Sequence, residues 1–514
     1  MVSSYTSQGR VDMERTKIFW FGQPPSEEDK RHAEEHDFQL VASATDVRPD
    51  FRFGRAAIFW ATGAHFGTAA VCLKAQVANA LNEGLYVVVV VSGEADDVRL
   101  KEVSKVLKDN DPHGALTGRY RVRSMPVSVH KLMNQILRHD PGPAKNLNLN
   151  IDPPGQLTAS ETLLMQRAFH NCTDIRLKPI SRGYSGAKTF FVEARLAASN
   201  AGPEPEPFFA KLGGSGKLQE ELIRFQQFAE HHVPWYLRPN FLPERSIYGV
   251  TEAILVGSFV RESLSLAECA RAGTGTQPIR SLFEETLAGL RRQSHTAEEG
   301  RPKSVVDALE PFSNLNGVPE ERWRAAAIWF GGEPVEPRAL WWQMLSLPEQ
   351  RWRKSGIHGD MHGENVRVRK QDAIVIDFAQ ACTGPASADL ASLEVWLSFE
   401  PSNDGLPFDE WKAVVELLYS PKAIDASLGN CAAIAGDSWI RACVAEIRRL
   451  AQQAVESNDE YKRVLAVYLL RQASFSANPD CPEDDEFRRA YAYWLSCRLV
   501  ASLLVEVNVE LGAT

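Results

Sequence analysis

The sequence contains few cysteines and no long apolar run. The 8 cysteines among 514 residues are scattered and form no C-x-x-C pair, so neither a zinc ribbon nor a disulfide framework is indicated. The most apolar run, Tyr86 to Val91, is far shorter than the roughly 20 residues that span a bilayer. The first residues lack the apolar core of a signal peptide. We therefore expect a cytoplasmic protein with reduced thiols and no membrane contact.

The chain also lacks an excess of basic charge. Its 57 Lys and Arg residues are outnumbered by 66 Asp and Glu residues, which gives a net charge of −9. A general nucleic-acid binder carries a basic footprint, so we expect no nucleic-acid partner. Hydrophobic residues make up 44% and charged residues 24%, which is ordinary globular usage and excludes a mainly disordered or collagen-like chain. The length predicts two to four domains.

The first 140 residues alternate short apolar runs with stretches of helical apolar spacing. Strands separated by helices predict a parallel sheet with helices on both faces. The expected strands are Lys17–Phe21, Gln39–Ala44, Ala56–Ala61, Leu85–Val91 and Tyr120–Ser124.

This order resembles the flavodoxin-like receiver domain of response regulators. A receiver needs carboxylates after its first and third strands to bind Mg²⁺ and accept phosphate. Here the first strand runs into Gly22-Gln23 and the third into Thr62-Gly63-Ala64, while Ser124 stands at the family's lysine position. The resemblance therefore implies an α/β module that docks a protein partner without accepting phosphate.

The most informative motif is His358-Gly359-Asp360-Met361-His362-Gly363-Glu364-Asn365. Two short strand-like runs follow it, with Lys370-Gln371-Asp372 as the expected turn, and Asp377 comes directly after the second run. Asp360, Asn365 and Asp377 should therefore converge at one end of a hairpin. Such oxygen-bearing side chains suit phosphoryl transfer, in which a carboxylate aligns a hydroxyl and hard oxygen ligands hold Mg²⁺ beside the ATP phosphates.

The pattern HGDxHxxN, the Ile-Asp-Phe that ends the second strand, Pro385 and Asp389-Leu390-Ala391 resemble the aminoglycoside phosphotransferase and choline kinase family. The resemblance covers roughly residues 160–510 and implies a protein-kinase-like fold that uses ATP and Mg²⁺. It also implies that Asp360 is the catalytic base, and that Asn365 and Asp377 are the metal ligands. His358 and Asp389 would brace the loop.

A metal hydrolase is the rival interpretation, because His358, Asp360, His362 and Glu364 alternate along the chain. Such a site would need further His or Asp ligands at suitable spacing. None is evident in the sequence, and the matches at Asn365 and Asp377 would remain unexplained.

An N-terminal lobe that could hold ATP precedes the motif. Gly183, Ser185 and Gly186 lie in a glycine turn whose backbone could approach phosphates. By the resemblance, Lys211 within the apolar run Phe208–Leu212 contacts the phosphates and pairs with a helix glutamate. Glu221 lies on the apolar face of the next helical stretch, whereas Glu220 points outward, so we favour Glu221. The backbone from Gly257 to Val260 would meet the adenine.

The expected fold is therefore an α/β flavodoxin-like domain followed by an α+β bilobal kinase-like domain with a helical C-lobe. Its parts are a receiver-like domain over 1–140, a linker over 141–158, an N-lobe over 159–262 and a C-lobe over 263–514.

The acceptor is not identified by the sequence. The short distance from Asp377 to Asp389 leaves no room for the long activation segment of protein kinases, which favours a small-molecule hydroxyl acceptor. The stretch from Ser294 to Ser355 is rich in tryptophan, which suits either helix packing or an aromatic box for a cation. The alternative is a kinase-like signalling or scaffold component of a multi-protein bacterial regulatory or defence system, which docks its partners through the receiver-like domain.

Overall fold

The computed structural model describes residues 15–43, 49–61, 66–91, 97–109, 111, 114, 116, 118–125, 127–180, 187–197, 206–260, 262–292, 304–400, 407–434, 436, 438–478 and 482–512. Two compact units divide the chain. The first comprises Met1–Glu220 with Asn240–Phe259, and the second Glu221–Pro239 with Val260–Thr514.

The first unit begins with a parallel sheet in the order β2-β1-β3-β4-β5. The interior strand β4 is buried along its whole length, because alternate valines enter the cores on the two faces of the sheet. The predicted parallel sheet is thus confirmed. Its elements are β1 (Lys17–Phe21), α1 (Glu27–Glu34), β2 (Gln39–Ser43), β3 (Gly54–Ala61), α2 (Phe66–Asn82), β4 (Tyr86–Val91), α3 (Asp97–Asp109), β5 (Tyr120–Ser124) and α4 (Val129–Arg138).

A second sheet of the first unit has the order β10-β11-β9-β8-β7-β6. Strands β8 and β9 pair antiparallel. The elements are β6 (Asn150–Asp152), α5 (Ala159–Ala168), β7 (Cys172–Pro179), β8 (Lys188–Leu196), β9 (Glu206–Gly214), α6 (Ser215–Arg224), β10 (Ile247–Tyr248) and β11 (Glu252–Ser258). The chain passes from the first unit to the second within α6.

Buried side chains join the two sheets of this unit. Arg167 of α5 donates to the carbonyl oxygens of Asn82 at 2.5 Å, Pro141 at 2.9 Å and Pro143 at 3.1 Å. The Asn82 side chain in turn accepts the backbone N–H of Val250 at 2.7 Å. The first 140 residues are therefore bonded to the second sheet rather than only tethered to it.

The second unit is mainly helical, and two small sheets lie beside its helices: β12 with β14 and β15, and β13 with β16. Helix α14 has a usual helix start, because Ser420 caps its N-terminus and Pro421 begins it. The strands are β12 (Leu264–Ser265), β13 (Lys354–Ile357), β14 (Val366–Arg369), β15 (Asp372–Val375) and β16 (Cys382–Pro385). The helices are α7 (Leu266–Arg271), α8 (Thr276–Ser281), α9 (Ala288–Arg292), α10 (Glu320–Phe330), α11 (Pro337–Ser346), α12 (Ala388–Phe399), α13 (Phe408–Leu418), α14 (Pro421–Gly429), α15 (Trp439–Ala451), α16 (Asn458–Ala473) and α17 (Pro482–Gly512).

None of these helices, over the residues described, is long and apolar enough to cross a membrane.

Candidate active site

The HGDxHxxN motif forms a loop between β13 and the β14–β15 hairpin. Strand β13 ends at Ile357, and a short 3-10 turn over Gly363–Asn365 leads into β14. Both strands of the hairpin occur as expected, but the turn is shorter than predicted, because Asp372 is already paired with Arg369 in the ladder. Lys370 adopts φ 60°, the left-handed conformation that lets a two-residue turn close.

Asp389 braces the start of this loop. One of its carboxylate oxygens accepts the N–H of His358 at 2.7 Å, and the other accepts the N–H of Gly359 at 3.0 Å. Gly359 has φ 78°, and a Cβ there would lie 2.4 Å from the carbonyl oxygen of Gln380, so only glycine fits. The bracing role expected of Asp389 agrees with these bonds.

His358 completes the brace from the other side of the loop. Its side chain is fully buried, and Nε2 contacts the carbonyl oxygen of Ile376 at 3.0 Å. The ring also packs edge-on against Phe378, with centroids 5.1 Å apart. Because its nitrogen faces the hairpin backbone, His358 ties the loop to β15 and serves as a structural residue.

Asp360 lies at the surface end of the loop. Its Oδ1 accepts a hydrogen bond from Arg471 Nη2 at 2.7 Å, and its backbone carbonyl accepts one from Asn365 Nδ2 at 2.9 Å. The other carboxylate oxygen, Oδ2, lies 3.8 Å from His362 Nε2, beyond hydrogen-bond distance. Among the contacts of the described residues, Oδ1 is thus the hydrogen-bonded carboxylate oxygen and Oδ2 is the one without such a bond.

Asn365 and Asp377 lie at neighbouring backbone positions on the two sides of the hairpin. The carbonyl of Asn365 accepts the N–H of Ile376 at 2.9 Å, which places Asp377 one residue beyond the paired position. Because the amide nitrogen of Asn365 donates to Asp360, its amide oxygen is the atom left for another partner. Asp377 has φ 62°, a turn conformation that Asp tolerates. An amide oxygen and a carboxylate at this corner fit a hard cation such as Mg²⁺.

His362 lies beside Asp360 but is not placed as a metal ligand. Its ring stacks on Trp396, with centroids 5.5 Å apart. Burial lowers the pKa of His362 below its ordinary value of 6.5. Over the part of the chain that the structure describes, no group of three or more His, Cys, Asp or Glu side chains could hold a metal ion.

Lys211 occupies the centre of the second sheet in the first unit. It lies on β9, opposite Thr189 of β8 and Leu255 of β11, and is 5% exposed. Its neighbours Ala210 and Leu212 enter the core on one face, so Lys211 projects from the opposite face. Burial of a lysine is unusual, because lysine is almost never fully buried unless its charge is paired.

The two candidate glutamates of α6 differ in burial. Glu221 is 4% exposed, whereas Glu220 is exposed, as the helical spacing predicted. Leu218, one turn before Glu221, packs on Ala253 and Leu255. The inward position expected of Glu221 therefore agrees with the structure, while its functional role and its pairing with Lys211 stay predictions.

The remaining nucleotide-binding candidates are less constrained. Gly183, Ser185 and Gly186 lie outside the described residues. Gly257 lies in β11 against the Phe209 ring, which would clash with a Cβ at 2.4 Å, so packing alone accounts for this glycine. The carbonyl of Val260 accepts the Ser263 hydroxyl at 2.9 Å. The adenine contacts expected along this backbone stay a prediction.

Some tryptophans of the stretch from Ser294 to Ser355 pack between helices. Trp341 is 6% exposed, whereas Trp342 is 70% exposed. Trp329 stacks on Phe487 of α17, with centroids 5.3 Å apart. These side chains therefore divide between helix packing and the surface, and the described contacts do not assemble them into one aromatic box.

Sequence reasoning missed Arg471. It lies on α16, 111 residues from the aspartate that it contacts, and no spacing rule links positions so far apart.

Comparison with known families decides among the interpretations of the motif. Residues 176–407 match the family model of the phosphotransferase enzyme family, APH. This stretch of the chain is therefore similar to the phosphotransferase family. The match contains Lys211, Asp360, Asn365 and Asp377, and it confirms the family resemblance and the expectation of a kinase. Arg471 lies beyond it.

Solved structures of kinases resemble the chain at low sequence identity. Choline kinase from Cryptosporidium parvum Iowa II shares 10% identity, with 65% of this chain and 92% of that chain covered and a TM-score of 0.36. An aminoglycoside phosphotransferase from Streptomyces rimosus shares 17% identity, with 53% and 91% covered and a TM-score of 0.28. At such scores these likenesses add no argument to the family match. No curated protein matches the chain significantly.

Proposed function

We propose that this phosphotransferase uses ATP and Mg²⁺ and transfers the γ-phosphoryl group to a hydroxyl of a small molecule. The observation that carries the proposal is the arrangement around Asp360: the loop is fixed by Asp389 and Asn365, while Oδ2 lies open beside it. Phosphoryl transfer depends mainly on positioning and charge stabilisation, and a rigid loop of this kind supplies the positioning.

In the proposed reaction the acceptor hydroxyl donates a hydrogen bond to Asp360 Oδ2. The acceptor oxygen forms a bond to the γ-phosphorus as the bond from that phosphorus to the ADP oxygen breaks, and the hydroxyl proton passes to Asp360. Asn365 and Asp377 would hold the metal, which supplies charge neutralisation at the phosphates when bound. Lys211, oriented by Glu221, would hold the phosphates, and the turn with Gly183, Ser185 and Gly186 would cover them.

The acceptor is expected to be a small molecule. The described chain runs directly from Asp377 through β16 to α12, which leaves no long segment of the kind that docks peptide substrates in protein kinases. Amino sugars and choline are named for the kinases of similar fold, and they belong to the first panel of compounds to test.

The N-terminal module is proposed to be flavodoxin-like and to dock a protein partner. The strand order β2-β1-β3-β4-β5 is that of doubly wound flavodoxin-like sheets. We expect no phosphoryl acceptor in it, because its first strand leads into Gly22-Gln23. Intact-mass measurement of the full chain after incubation with acetyl phosphate tests this: an added stable phosphoryl group would contradict it.

The kinase assignment is tested by nucleotide-dependent thermal stabilisation and turnover. A ligand at 100 times its Kd stabilises the folded state by about 2.7 kcal/mol, so Mg·ATP should raise the melting temperature of the wild type. Asp377→Asn should abolish the Mg²⁺-dependent part. Asp360→Asn should leave it nearly intact while turnover falls about 10²–10⁴-fold, as for loss of a general base.

Two outcomes would contradict the proposal. A wild type that shows no Mg²⁺-dependent stabilisation at millimolar ATP would favour the scaffold alternative. If Asp360→Asn lost nucleotide binding as fully as Asp377→Asn, the division of roles would be wrong, and the alternating His358, Asp360 and His362 set would return as a metal site.

A further inference from the structure

Arg471 is the side chain closest to the proposed base, and it holds two neighbouring atoms of the loop. Its Nη2 donates to Asp360 Oδ1 at 2.7 Å, and its Nη1 donates to the carbonyl oxygen of Gly359 at 3.2 Å. A planar guanidinium suits this double contact, since its donors diverge from a rigid fork. Arg471 therefore fixes both the backbone and the carboxylate orientation at the reacting end of the loop.

The guanidinium itself is held in place by its surroundings. It lies 5.7 Å from the centroid of the Phe312 ring and 5.9 Å from that of Phe475, distances at which a cation is attracted to the ring. Its side chain is 16% exposed. It also belongs to the last turn of α16, where the helix dipole favours a cation. Little freedom is left for Arg471 to move away from Asp360.

The backbone at Arg471 is anchored as well. Ser474 donates its hydroxyl to the Arg471 carbonyl at 2.7 Å, and Asn314 donates to the Ser474 hydroxyl at 2.9 Å. Preorganised supports of this kind are what a catalytic carboxylate needs, because a displacement of about 1 Å can cost about 10²-fold in rate.

We propose that Arg471 is a positioning residue of the phosphotransferase, which occupies Asp360 Oδ1 and thereby presents Oδ2 to the acceptor hydroxyl. The inference rests on the proposed function of Asp360 as the base. It assigns to α16, outside the family match over residues 176–407, a part in the reaction. It also gives the two oxygens of Asp360 different tasks.

The test compares Arg471→Ala and Arg471→Lys with wild type in the full chain, by Mg·ATP affinity and by background ATP hydrolysis, in which water is the acceptor. The matched control is Arg463→Ala, which removes a buried arginine from the same helix whose bond goes to the Pro348 carbonyl. We expect Arg471→Ala to keep nucleotide affinity within about two-fold while turnover falls about 10–100-fold. Added guanidinium ion at non-denaturing concentration should restore part of that loss.

Arg471→Lys serves if the alanine variant does not fold, because it keeps the charge but lacks the fork that reaches both loop atoms. Its turnover should fall between those of wild type and Arg471→Ala. The inference is overturned if Arg471 variants turn over like Arg463→Ala, or if nucleotide affinity and turnover fall together with no rescue by guanidinium. A wild type without Mg·ATP binding would instead refute the proposed function itself.

Discussion

The carboxylate of Asp389 accepts the backbone N–H of His358 at 2.7 Å, across 31 residues of the chain. Asp389 belongs to the first turn of α12 and is 5% exposed. Charge-assisted hydrogen bonds of this kind are stronger than neutral ones. The bond thus ties the loop that carries Asp360 to a helix in the core of the second unit.

Asp389→Asn should loosen this loop. The amide would turn an N–H₂ group toward a backbone N–H, so one buried donor loses its acceptor, at a cost of about 1–3 kcal/mol in unfolding free energy. Turnover should fall further than stability explains, because Asp360 loses its fixed position. Urea titration and ATP turnover measure both effects. Asp409→Asn, at an exposed position of α13, is the control and should stay within about 0.5 kcal/mol of wild type.

The hydrogen bonds of Arg167, which join the two sheets of the first unit, yield a second prediction. Arg167 is 1% exposed, burial lowers its pKa to about 9, and its guanidinium serves three backbone carbonyls. Arg167→Met would remove the arginine donor from all three carbonyls, of which that of Pro143 keeps Arg15 Nη2 at 2.7 Å, and should lower the unfolding free energy by about 1–3 kcal/mol.

Hydrogen exchange should show the effect of Arg167→Met at the end of α2 and in residues 141–143. The comparison is Arg195→Met, since Arg195 lies on the neighbouring sheet but has a side chain that is 61% exposed. Equal stability of the two variants would mean that the N-terminal module is held by other contacts than this one.

Part of the fold and of the candidate site could be predicted from the sequence. The placement of Asp360, Asn365 and Asp377 around one hairpin could be predicted because they lie close together in the sequence, on either side of two short strand-like runs. The parallel sheet followed for the same reason, since its hydrophobic runs are local. Glu221 was separable from Glu220 by helical periodicity alone.

Arg471 and Arg167 carry no such signal. Each acts through contacts with distant chain segments, and an arginine in a helix is ordinarily a solvated surface residue. The sequence predicted a three-residue turn over Lys370–Asp372, whereas the structure has a two-residue turn. The shorter turn depends on a left-handed φ at Lys370, a conformation for which lysine has no preference. Only the packed structure shows which charges are buried and what they hold.

A third prediction concerns the ion pair of Arg448 and Glu394, both 0% exposed. Arg448 Nη2 lies 2.7 Å from Glu394 Oε1, and the Tyr461 hydroxyl donates to Glu394 Oε2 at 2.8 Å. Glu394→Gln leaves a buried guanidinium without its counter-charge and should cost about 3–5 kcal/mol. Arg448→Met should cost a similar amount.

The double variant Glu394→Gln with Arg448→Met should be less destabilised than the sum of the single changes, because neither charge is then left alone. Urea-derived unfolding free energies of the four proteins complete the cycle. Additive losses would show that the two side chains contribute independently.

The last prediction concerns pH. Glu460 is 0% exposed, and burial raises the pKa of its carboxyl from 4.5 to about 7. Its oxygens accept the Ser387 hydroxyl at 2.9 Å and the Glu456 N–H at 2.8 Å. Because the folded state binds this proton more tightly than the unfolded state, the contribution to stability is complete below pH 4.5. It is lost as the pH rises through about 7.

Glu460→Gln imitates the protonated acid at every pH. Relative to wild type, it should therefore gain stability between pH 5 and pH 8, by up to about 3 kcal/mol for a pKa difference of this size. Any bond lost to Ser387 or Glu456 shifts the comparison equally at all pH values, so the slope is the quantity to measure, by urea titration at unit steps of pH. Glu410→Gln, at an exposed position of α13, should give a flat difference. A flat or opposite slope for Glu460→Gln would show that the carboxyl is already ionised in the folded protein across this range, with Ser387 and the Glu456 N–H stabilising the charge that burial opposes.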